Sequence, residues 1–451
     1  MDTTLPSEVA DAEGGLGLRR PSLPEINSTI RVPLSWPAWK RLLAFVGPGY
    51  LIAVGYMDPG NWATDIGGGS AYNYQLLSVV AFASITAIYL QALSAKLGIV
   101  TGRDLAQMCR DSYPQKLNIG LWISAEIAIV ACDVAEVIGA AIALKLLFNV
   151  PLVVGVIATA ADVLIILAMQ RRGFRWIEAL VFLLIALMMV IFAIGTFYAK
   201  PDWLRVFGGL VPAPQIVKDP HELYIALGIL GATVMPHNLY LHSSIVQTRQ
   251  IGKRRSNIKE AIRFAYTDST FALFIAMFAN AALLIMAAAV FYKTGHTSVQ
   301  GIDDAYPLLR PLLGTALAAP LFAVALLAAG QNSTLTGTLA GQVILEGFTD
   351  FKMKPWLRRM VSRMLAIVPA AAVVIVAGDK GLNSLMIFSQ VVLSAQLSFA
   401  VVPLIQFTSD KTKMGEFVNG TATKVIGWGL AVIIAVLNAY LIYVQLVHGG
   451  G

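Results

Sequence analysis

Long apolar segments recur along almost the whole chain and restrict its fold more than any other feature. Clear examples lie at residues 153–169, 177–197, 271–290 and 426–444. About 20 consecutive apolar residues, wound as a helix, cross the hydrocarbon core of a bilayer. Of the 451 residues 57% are hydrophobic and 13% charged, and an average globular domain carries about twice that charged fraction. The sequence therefore predicts an all-α integral membrane protein.

The apolar segments predict eleven membrane-spanning helices. Their approximate limits are 43–68, 74–98, 119–148, 152–170, 176–199, 223–248, 263–292, 318–345, 362–378, 383–407 and 424–447. With the N-terminus in the cytosol, most of the 33 Lys and Arg residues fall in cytosolic segments, as the positive-inside rule requires. We therefore predict a multi-pass protein of the cell membrane, expected in a bacterial inner membrane, with a cytosolic N-terminus and an extracytosolic C-terminus.

The predicted spans divide the chain into four regions. Residues 1–40 are rich in Pro, Ser, Glu and Gly and are predicted to form a mobile cytosolic tail. Residues 41–199 hold five spans, residues 220–410 hold five more, and residues 423–451 hold the eleventh span with a short outer tail. The two cysteines are too few for a disulfide framework and are expected to be free thiols.

Proline interrupts two of the predicted spans at matching places. Span one contains D-P-G-N at residues 58–61, and span six contains M-P-H-N at residues 235–238. Pro59 and Pro236 each remove a backbone donor and clash with the carbonyl one turn earlier. Carbonyls freed in lipid need a polar partner. Broken helices at corresponding positions of two halves indicate a transporter site near the midplane, and their spacing predicts five helices that repeat as five more.

A simple proline kink is the alternative for each break. For span six taken alone, a structural proline kink and a transport site are equally favoured interpretations. Asp58 argues against a bare kink in span one, because a carboxylate at bilayer depth costs at least about 2.5–3.5 kcal/mol on insertion scales. Asn61 and Asn238 could each cap the half-helix that restarts after the break. Capping is the expected role for Asn238, whereas capping and ligation are both open for Asn61.

The side chains at the breaks predict the class of ion. Asp58 offers a carboxylate, Asn61 an amide oxygen and Met235 a thioether, and the carbonyls near Gly55 and Ala232 are freed. Oxygen ligands alone suit Mg²⁺ or Ca²⁺, whereas a thioether bonds Mn²⁺, Fe²⁺, Co²⁺ or Cd²⁺. Met235 would otherwise be core filler. Its place directly before the break favours a ligand and therefore a transition metal.

The pair of motifs in an eleven-span chain, over roughly residues 40–447, resembles the signature of the Nramp family of divalent-metal transporters. The resemblance implies a LeuT-like inverted repeat of five plus five helices with helices 1 and 6 interrupted. It also implies proton-coupled uptake of Mn²⁺ and Fe²⁺. The metal ligands that it implies are Asp58, Asn61, Met235, the Ala232 carbonyl and, when the outer side closes, Gln390 of span ten. The metal is then a substrate, and no cofactor is expected.

Three carboxylates lie on one face of span three. Glu126, Asp133 and Glu136 fall within an arc of about 80° on a helical projection. Such a face is expensive in a membrane unless it meets water, protons or a base. A structural ion pair with Arg363 is one interpretation. The other is a proton route from Asp58 towards the cytosol, which the resemblance favours for Asp133 and Glu136 with Arg363 as partner. Glu126 is expected outward of them, on the entry side.

Two further polar residues are candidates for the site. His237 directly follows Pro236 and could titrate near neutral pH, or could only bond a freed carbonyl. Asn280 of span seven is expected to orient a metal-bound water.

The predicted function is a proton-coupled symporter of divalent transition metals and not an enzyme. Its partners would be the metal, the proton and the lipid bilayer, without nucleic acid or an obligate protein. A cation-coupled amino-acid transporter of the same fold is disfavoured because Asp58 would repel a carboxylate substrate. An Nramp-related Mg²⁺ transporter would lack the methionine. A zinc protease needs H-E-x-x-H, which is absent from the sequence. A channel would need neither two broken helices nor a proton relay.

Overall fold

The computed structural model describes residues 21–24, 26–161, 174–252, 254–297, 299, 301–313, 318–351 and 353–448, and most of them are helical. The α-helices are α1 (Ala38–Phe45), α2 (Pro48–Gly55), α3 (Pro59–Tyr72), α4 (Leu77–Thr101), α5 (Leu105–Ser112), α6 (Gln115–Phe148), α7 (Leu152–Ala158), α8 (Phe174–Ala199), α9 (Trp203–Gly208), α10 (Gln215–Lys218), α11 (Pro220–Thr233), α12 (Pro236–Ile245), α13 (Arg255–Val290), α14 (Ile302–Leu313), α15 (Ala318–Thr349), α16 (Pro355–Thr408), α17 (Lys411–Met414) and α18 (Thr421–His448). Short 3₁₀ segments lie at Thr159–Ala161, Val246–Thr248, Tyr292–Thr294 and Gly415–Phe417.

A helix lies at each predicted span, so the all-α membrane fold is confirmed and the helix positions are consistent with eleven spans. The second part of predicted span four, residues 162–170, lies outside the described residues. Spans nine and ten form α16, whose continuity is broken at Gly378 with φ 66° and ψ −161°. By length and composition alone, seven helices of the described part could cross a membrane, or eight if a bent pair counts as one span.

The two proline motifs break their spans at the predicted places. Helix α2 ends before Asp58 and α3 begins at Pro59, and the span bends there by 52°. Helix α11 ends at Thr233 and α12 begins at Pro236. Each proline occupies the first turn of a new helix, where the missing N–H has no intrahelical partner to lose. The prolines therefore start half-helices instead of distorting continuous ones.

Packing places both breaks inside the helix bundle. Helices α2 and α3 pack against α13, and α11 packs against α3 and α16. The long helix α6 lies against α15 and α16. Asp58 and Met235, the residues directly before the two prolines, are both 0% exposed. Burial of a carboxylate beside interrupted backbone defines where a polar site can lie.

The prediction of a mobile tail over residues 1–40 is wrong for the part that the structure describes. Leu23 is buried with 1% of its surface exposed, and α1 already begins at Ala38. Ile30 forms an isolated bridge with Arg249, and the described residues contain no longer strand. The divisions at residues 199, 220, 410 and 423 stay predictions.

Candidate metal site

Asp58 caps the half-helix that restarts after the first break. Its Oδ1 atom accepts a hydrogen bond of 2.8 Å from the Asn61 backbone N–H, the usual contact of an N-cap carboxylate. Its Oδ2 atom is buried and has no hydrogen-bond partner in the described part of the chain. Capping therefore belongs to Asp58 and not to Asn61, and one carboxylate oxygen remains available for a ligand.

Asn61 bridges the two breaks. Its Nδ2 atom donates to Oδ1 of Asp58 at 2.8 Å and to the carbonyl of Ala232 at 3.0 Å. Ala232 lies in the last turn of α11, 171 residues further along the chain. Three of the predicted ligands are thus within hydrogen-bond distance of one another, across the interface of the two broken helices.

Met235 takes the N-cap position of α12, without a side-chain cap. The expectation that Asn238 caps this half-helix is therefore wrong. The Asn238 Nδ2 atom instead lies 3.7 Å from the Met235 sulfur. A Cβ built on Gly55 would lie 3.4 Å from that sulfur and would overlap the Asn238 amide. The glycine at the first break therefore allows the thioether of the second break to approach α2.

Gln390 reaches the start of α3 from span ten. A Cβ built on Gly60 would overlap its amide, so the two residues are in close contact. The Gln390 Nε2 atom donates to the Ser389 hydroxyl at 2.9 Å, whereas its Oε1 atom is buried without a hydrogen-bond partner among the described residues. The structure therefore holds an unpaired amide oxygen beside Gly60, which follows Asp58 by two residues.

Asn280 contacts the site directly. Its Nδ2 atom donates to the Tyr56 carbonyl at 2.9 Å and to Oδ1 of Asn61 at 3.1 Å. Thr233, which sequence reasoning missed, places its hydroxyl 3.5 Å from the same Asn61 oxygen. In the structure Asn280 contacts the side chain of a predicted ligand and a carbonyl at the first break, whereas the sequence predicted that it orients a metal-bound water.

The site differs from resident metal centres in its composition. The described residues contain no group of three or more His, Cys, Asp or Glu side chains placed to hold a metal ion. One carboxylate, amide oxygens, a carbonyl and a thioether make a weaker set than such a group. Weak ligation suits an ion that must leave again, because translocation requires binding that is favourable but reversible.

Glu136 and Asp133 share Arg363. The Arg363 Nη1 atom lies 3.2 Å from a Glu136 oxygen and 3.9 Å from an Asp133 oxygen. Glu136 also accepts hydrogen bonds from Ser333 at 2.8 Å and Thr334 at 2.9 Å. All three residues are at most 7% exposed. The ion pair that the sequence suggested is present, and its geometry alone is compatible with either a structural or a proton-carrying role.

The hydroxyl donors to Glu136 were missed by sequence reasoning. They belong to Q-N-S-T-L-T-G-T, residues 331–338, a polar run inside α15. Such a run in a membrane helix is a signal that could have found them. Near Asp133, whose carboxylate bonds the Ser362 hydroxyl, a cavity of about 10 Å³ also touches Arg363. That volume is about the minimum that holds one water.

Glu126 lies at the other end of the carboxylate face. It forms a two-bond ion pair with Arg358, at 2.8 and 3.1 Å, and accepts from the Trp122 indole at 2.9 Å. Arg358 belongs to the connection that the charge distribution assigns to the cytosol. In the predicted topology α6 begins on the cytosolic side and runs outward, so Glu126 lies closer to the cytosol than Asp133. The expectation that Glu126 belongs to the entry side is therefore wrong within the predicted orientation.

His237 is buried beside the second break, but the structure does not join it to the carboxylates. Its Nδ1 atom has no hydrogen-bond partner within the described ranges. His242 faces elsewhere: its Nδ1 atom lies 3.0 Å from Gln91, whose amide donates to the Tyr56 hydroxyl at 2.7 Å. The geometry thus supports two separate groups, a ligand cluster at the breaks and an ionic cluster on α6.

The fold and the site together define a multi-pass membrane transporter of the LeuT-like class. The 14% identical structure of Mhp1 in its inward-facing conformation shares this fold, with a TM-score of 0.56 over 96% of this chain and 95% of that chain. A family model described as natural resistance-associated macrophage protein-like, Nramp, matches residues 49–444. The chain belongs to the Nramp family.

Two relatives carry descriptions of what they transport. A protein of Listeria monocytogenes serotype 4a (strain HCC23), named divalent metal cation transporter MntH, is 56% identical over 426 residues, which are 94% of this chain and 95% of the relative. The solved structure of the Eremococcus coleocola manganese transporter, in complex with an aromatic bis-isothiourea substituted compound, is 42% identical with a TM-score of 0.87. It covers 96% of this chain and 93% of that chain.

Proposed function

We propose that this protein is a proton-coupled symporter that imports divalent transition metals, Mn²⁺ and Fe²⁺ foremost and also Cd²⁺ and Co²⁺, by alternating access. One observation carries the proposal. The Asn61 Nδ2 atom lies 2.8 Å from Oδ1 of Asp58 and 3.0 Å from the Ala232 carbonyl oxygen, so Asn61 joins these two residues at the interface of two broken helices. The names of the relatives, a divalent metal cation transporter and a manganese transporter, support the class of substrate.

The metal would be held between the two half-helices. Asp58 would contribute its carboxylate, and the Asn61 amide would turn so that its oxygen faces the ion. The Ala232 carbonyl and the Met235 sulfur would complete the site from span six. The Gly55 carbonyl and the Gln390 oxygen are further candidates, because Gly55 lies beside the Met235 sulfur and the Gln390 amide lies against Gly60, between Asp58 and Asn61 in the chain. A thioether adds little for Mg²⁺ or Ca²⁺ and bonds softer ions, so Met235 would select transition metals.

The proton would use the same carboxylate. A metal ion and a proton compete for one carboxylate, because only the deprotonated form ligates. The proton that leaves Asp58 would pass to Asp133 and Glu136 on α6, where Arg363 and three hydroxyls hold the carboxylates. The route would then lead to the side that we predict to be cytosolic, in the inner membrane of a bacterium. His237 would assist only if movement of α12 brings it to this group.

The test is uptake of Mn²⁺, Mg²⁺ and Ca²⁺ into proteoliposomes with an imposed pH gradient. We expect saturable Mn²⁺ uptake that increases when the outside is acidic, and little uptake of Mg²⁺ or Ca²⁺. Asp58→Asn should abolish Mn²⁺ uptake. Asp65→Asn is the matched control, because Asp65 is a buried carboxylate of the same helix and takes part in none of the contacts described at the breaks. Normal Mn²⁺ uptake by Asp58→Asn would contradict the proposed function.

A further inference from the structure

Residues 21–24 and 26–30 form a segment that we call the N-terminal strap. It crosses the end of the molecule at which α12 and α15 finish. The segment turns twice through left-handed backbone, at Leu23 with φ 52° and at Ser28 with φ 54°. Residues with a Cβ disfavour this conformation, and it persists only where surrounding contacts fix it. The strap is therefore held in place by what it touches.

One end of the strap pairs with the chain that follows α12. The Ser28 N–H donates to the Gln247 carbonyl at 2.9 Å, and the Ile30 N–H donates to the Thr248 carbonyl at 2.9 Å. In return, the Gln250 N–H donates to the Ile30 carbonyl at 2.8 Å. These backbone hydrogen bonds attach the strap to the half-helix that begins at the second break.

The other end of the strap is anchored to α15. The Leu23 side chain is 1% exposed and belongs to the main hydrophobic core. Its N–H donates at 3.1 Å to Oε2 of Glu346, in the last turn of α15. The other Glu346 oxygen accepts from Gln342 at 2.9 Å, which fixes the carboxylate. Leu23 thus combines a buried side chain with a charge-assisted hydrogen bond.

The two anchors belong to different parts of the transport machinery. The residue next to the first anchor, Arg249, donates to the carbonyls of Phe45 and Val46 at 2.9 and 2.7 Å, so this end is also tied to the start of span one. The second anchor lies on α15, the helix that supplies the hydroxyl partners of Glu136. The strap therefore connects the broken helices to the helices of the carboxylate cluster.

We propose that the N-terminal strap is a latch that keeps this end of the transporter closed, and that Leu23 must leave its buried position before the broken helices separate from α15. The inference rests on the proposed alternating access. It adds the element that sets how often this end opens. Weakening either anchor should increase the population of the open form, because a strap that binds the closed form alone shifts the equilibrium towards it.

Two point variants of the full chain test the latch. Leu23→Glu places a second carboxylate beside Glu346 in a buried position. Ile30→Pro removes the N–H that donates to Thr248. Leu34→Glu is the matched control, since Leu34 follows the strap and is 54% exposed. The reporter is Ser243→Cys with Cys109 and Cys132 replaced by alanine. Ser243 is 0% exposed and accepts from the Leu105 N–H at 2.9 Å, between α12 and α5.

The measurement is the labelling rate of the reporter thiol in membrane vesicles by a permeant maleimide. We expect about tenfold faster labelling in Leu23→Glu and in Ile30→Pro, and an unchanged rate in Leu34→Glu. Hydrogen exchange of the amides of residues 236–250, in protein with its native cysteines, is a second readout that does not depend on the reporter and should increase in the same two variants.

Each outcome separates the latch from the proposed function. Labelling and exchange at the wild-type rate in both strap variants would overturn the latch, and so would an equal increase in Leu34→Glu. Faster labelling in the strap variants supports the latch even if the parent protein shows no pH-driven Mn²⁺ uptake, and in that case symport alone fails.

Discussion

Asn280 donates one hydrogen bond to Oδ1 of Asn61, at 3.1 Å, and another to the carbonyl of Tyr56, at 2.9 Å. Helix α13 therefore fixes a candidate ligand and also satisfies a carbonyl at the first break. A polar group that is freed inside a membrane protein must find such a partner. The neighbouring helix thus stabilises the interruption and orients the amide that bridges to span six.

Asn280→Ala should weaken metal binding more than it lowers the maximal rate. Without this donor, the Oδ1 atom of Asn61 keeps only the longer contact with the Thr233 hydroxyl, although the Asn61 amide nitrogen still donates to Asp58 and Ala232. We expect the apparent affinity for Mn²⁺ to fall about tenfold, since a net hydrogen bond contributes about 0.5–1.5 kcal/mol and the Tyr56 carbonyl also loses its donor. The concentration dependence of uptake measures this. Asn438→Ala, a buried asparagine of α18, is the control, and an equal effect there would contradict the assignment.

Met235→Ala should change the preference among metals. Removal of the thioether takes away the only soft ligand of the proposed set, so Cd²⁺ and Mn²⁺ uptake should fall while Mg²⁺ and Ca²⁺ compete better. Competition assays with each ion against Mn²⁺ measure the order. Met188→Ala removes another fully buried methionine, on α8, and should leave the order unchanged. If Met235→Ala also preserves it, the sulfur is not a ligand.

Gly60→Ala should displace Gln390. The new methyl group would overlap the Gln390 amide, and overpacking of this kind typically costs about 1–3 kcal/mol. We expect reduced Mn²⁺ uptake, and no further loss when Gln390→Ala is added, because the smaller side chain makes room. Gly120→Ala is the control, since a Cβ there meets nothing within 4 Å. Additive losses in the double variant would show that the contact is irrelevant to uptake.

Glu136→Gln should uncouple uptake from the pH gradient. The amide cannot take up a proton at this position, whereas Arg363 keeps its contacts with Asp133 and Thr334, so the helices should stay packed. We expect Mn²⁺ to bind while acidic external pH no longer stimulates uptake. Glu260→Gln, which removes a carboxylate paired with Arg41 outside the cluster, should retain the stimulation. A Glu136→Gln protein that still responds fully to the gradient would exclude this carboxylate from the route.

The sequence predicted the breaks well because they depend on neighbouring residues. Proline acts on its own turn, so Pro59 and Pro236 mark where a half-helix begins whatever surrounds them. The same local rule could have predicted which residues take the N-cap positions of the two half-helices. A proline at the first helical position leaves the residue before it as the N-cap, which is Asp58 in span one and Met235 in span six. The asparagines lie three residues too late.

Contacts between distant parts of the chain were beyond local patterns. Composition classed residues 1–40 as a mobile tail, yet Leu23 is buried and its N–H donates to Glu346, 323 positions further along the chain. No pattern within the N-terminal strap indicates that Glu346 is the partner of Leu23. The cytosolic position of Glu126, by contrast, could have been predicted from the sequence. The predicted topology makes α6 run outward from the cytosol, and Glu126 precedes Asp133 in that helix.

The hydrogen bonds of the Asn61 amide also bear on monovalent cations such as Na⁺ and K⁺. Its nitrogen donates both to Oδ1 of Asp58 and to the Ala232 carbonyl. Under the proposed function, an ion that uses the Asn61 oxygen as a ligand would have to break both hydrogen bonds and rotate the amide. Na⁺ and K⁺ carry half the charge of a divalent ion, and the Coulomb energy that they recover is about half as large. Under the proposed function, these hydrogen bonds would favour divalent cations over Na⁺ and K⁺, although the monovalent cations far outnumber trace metals.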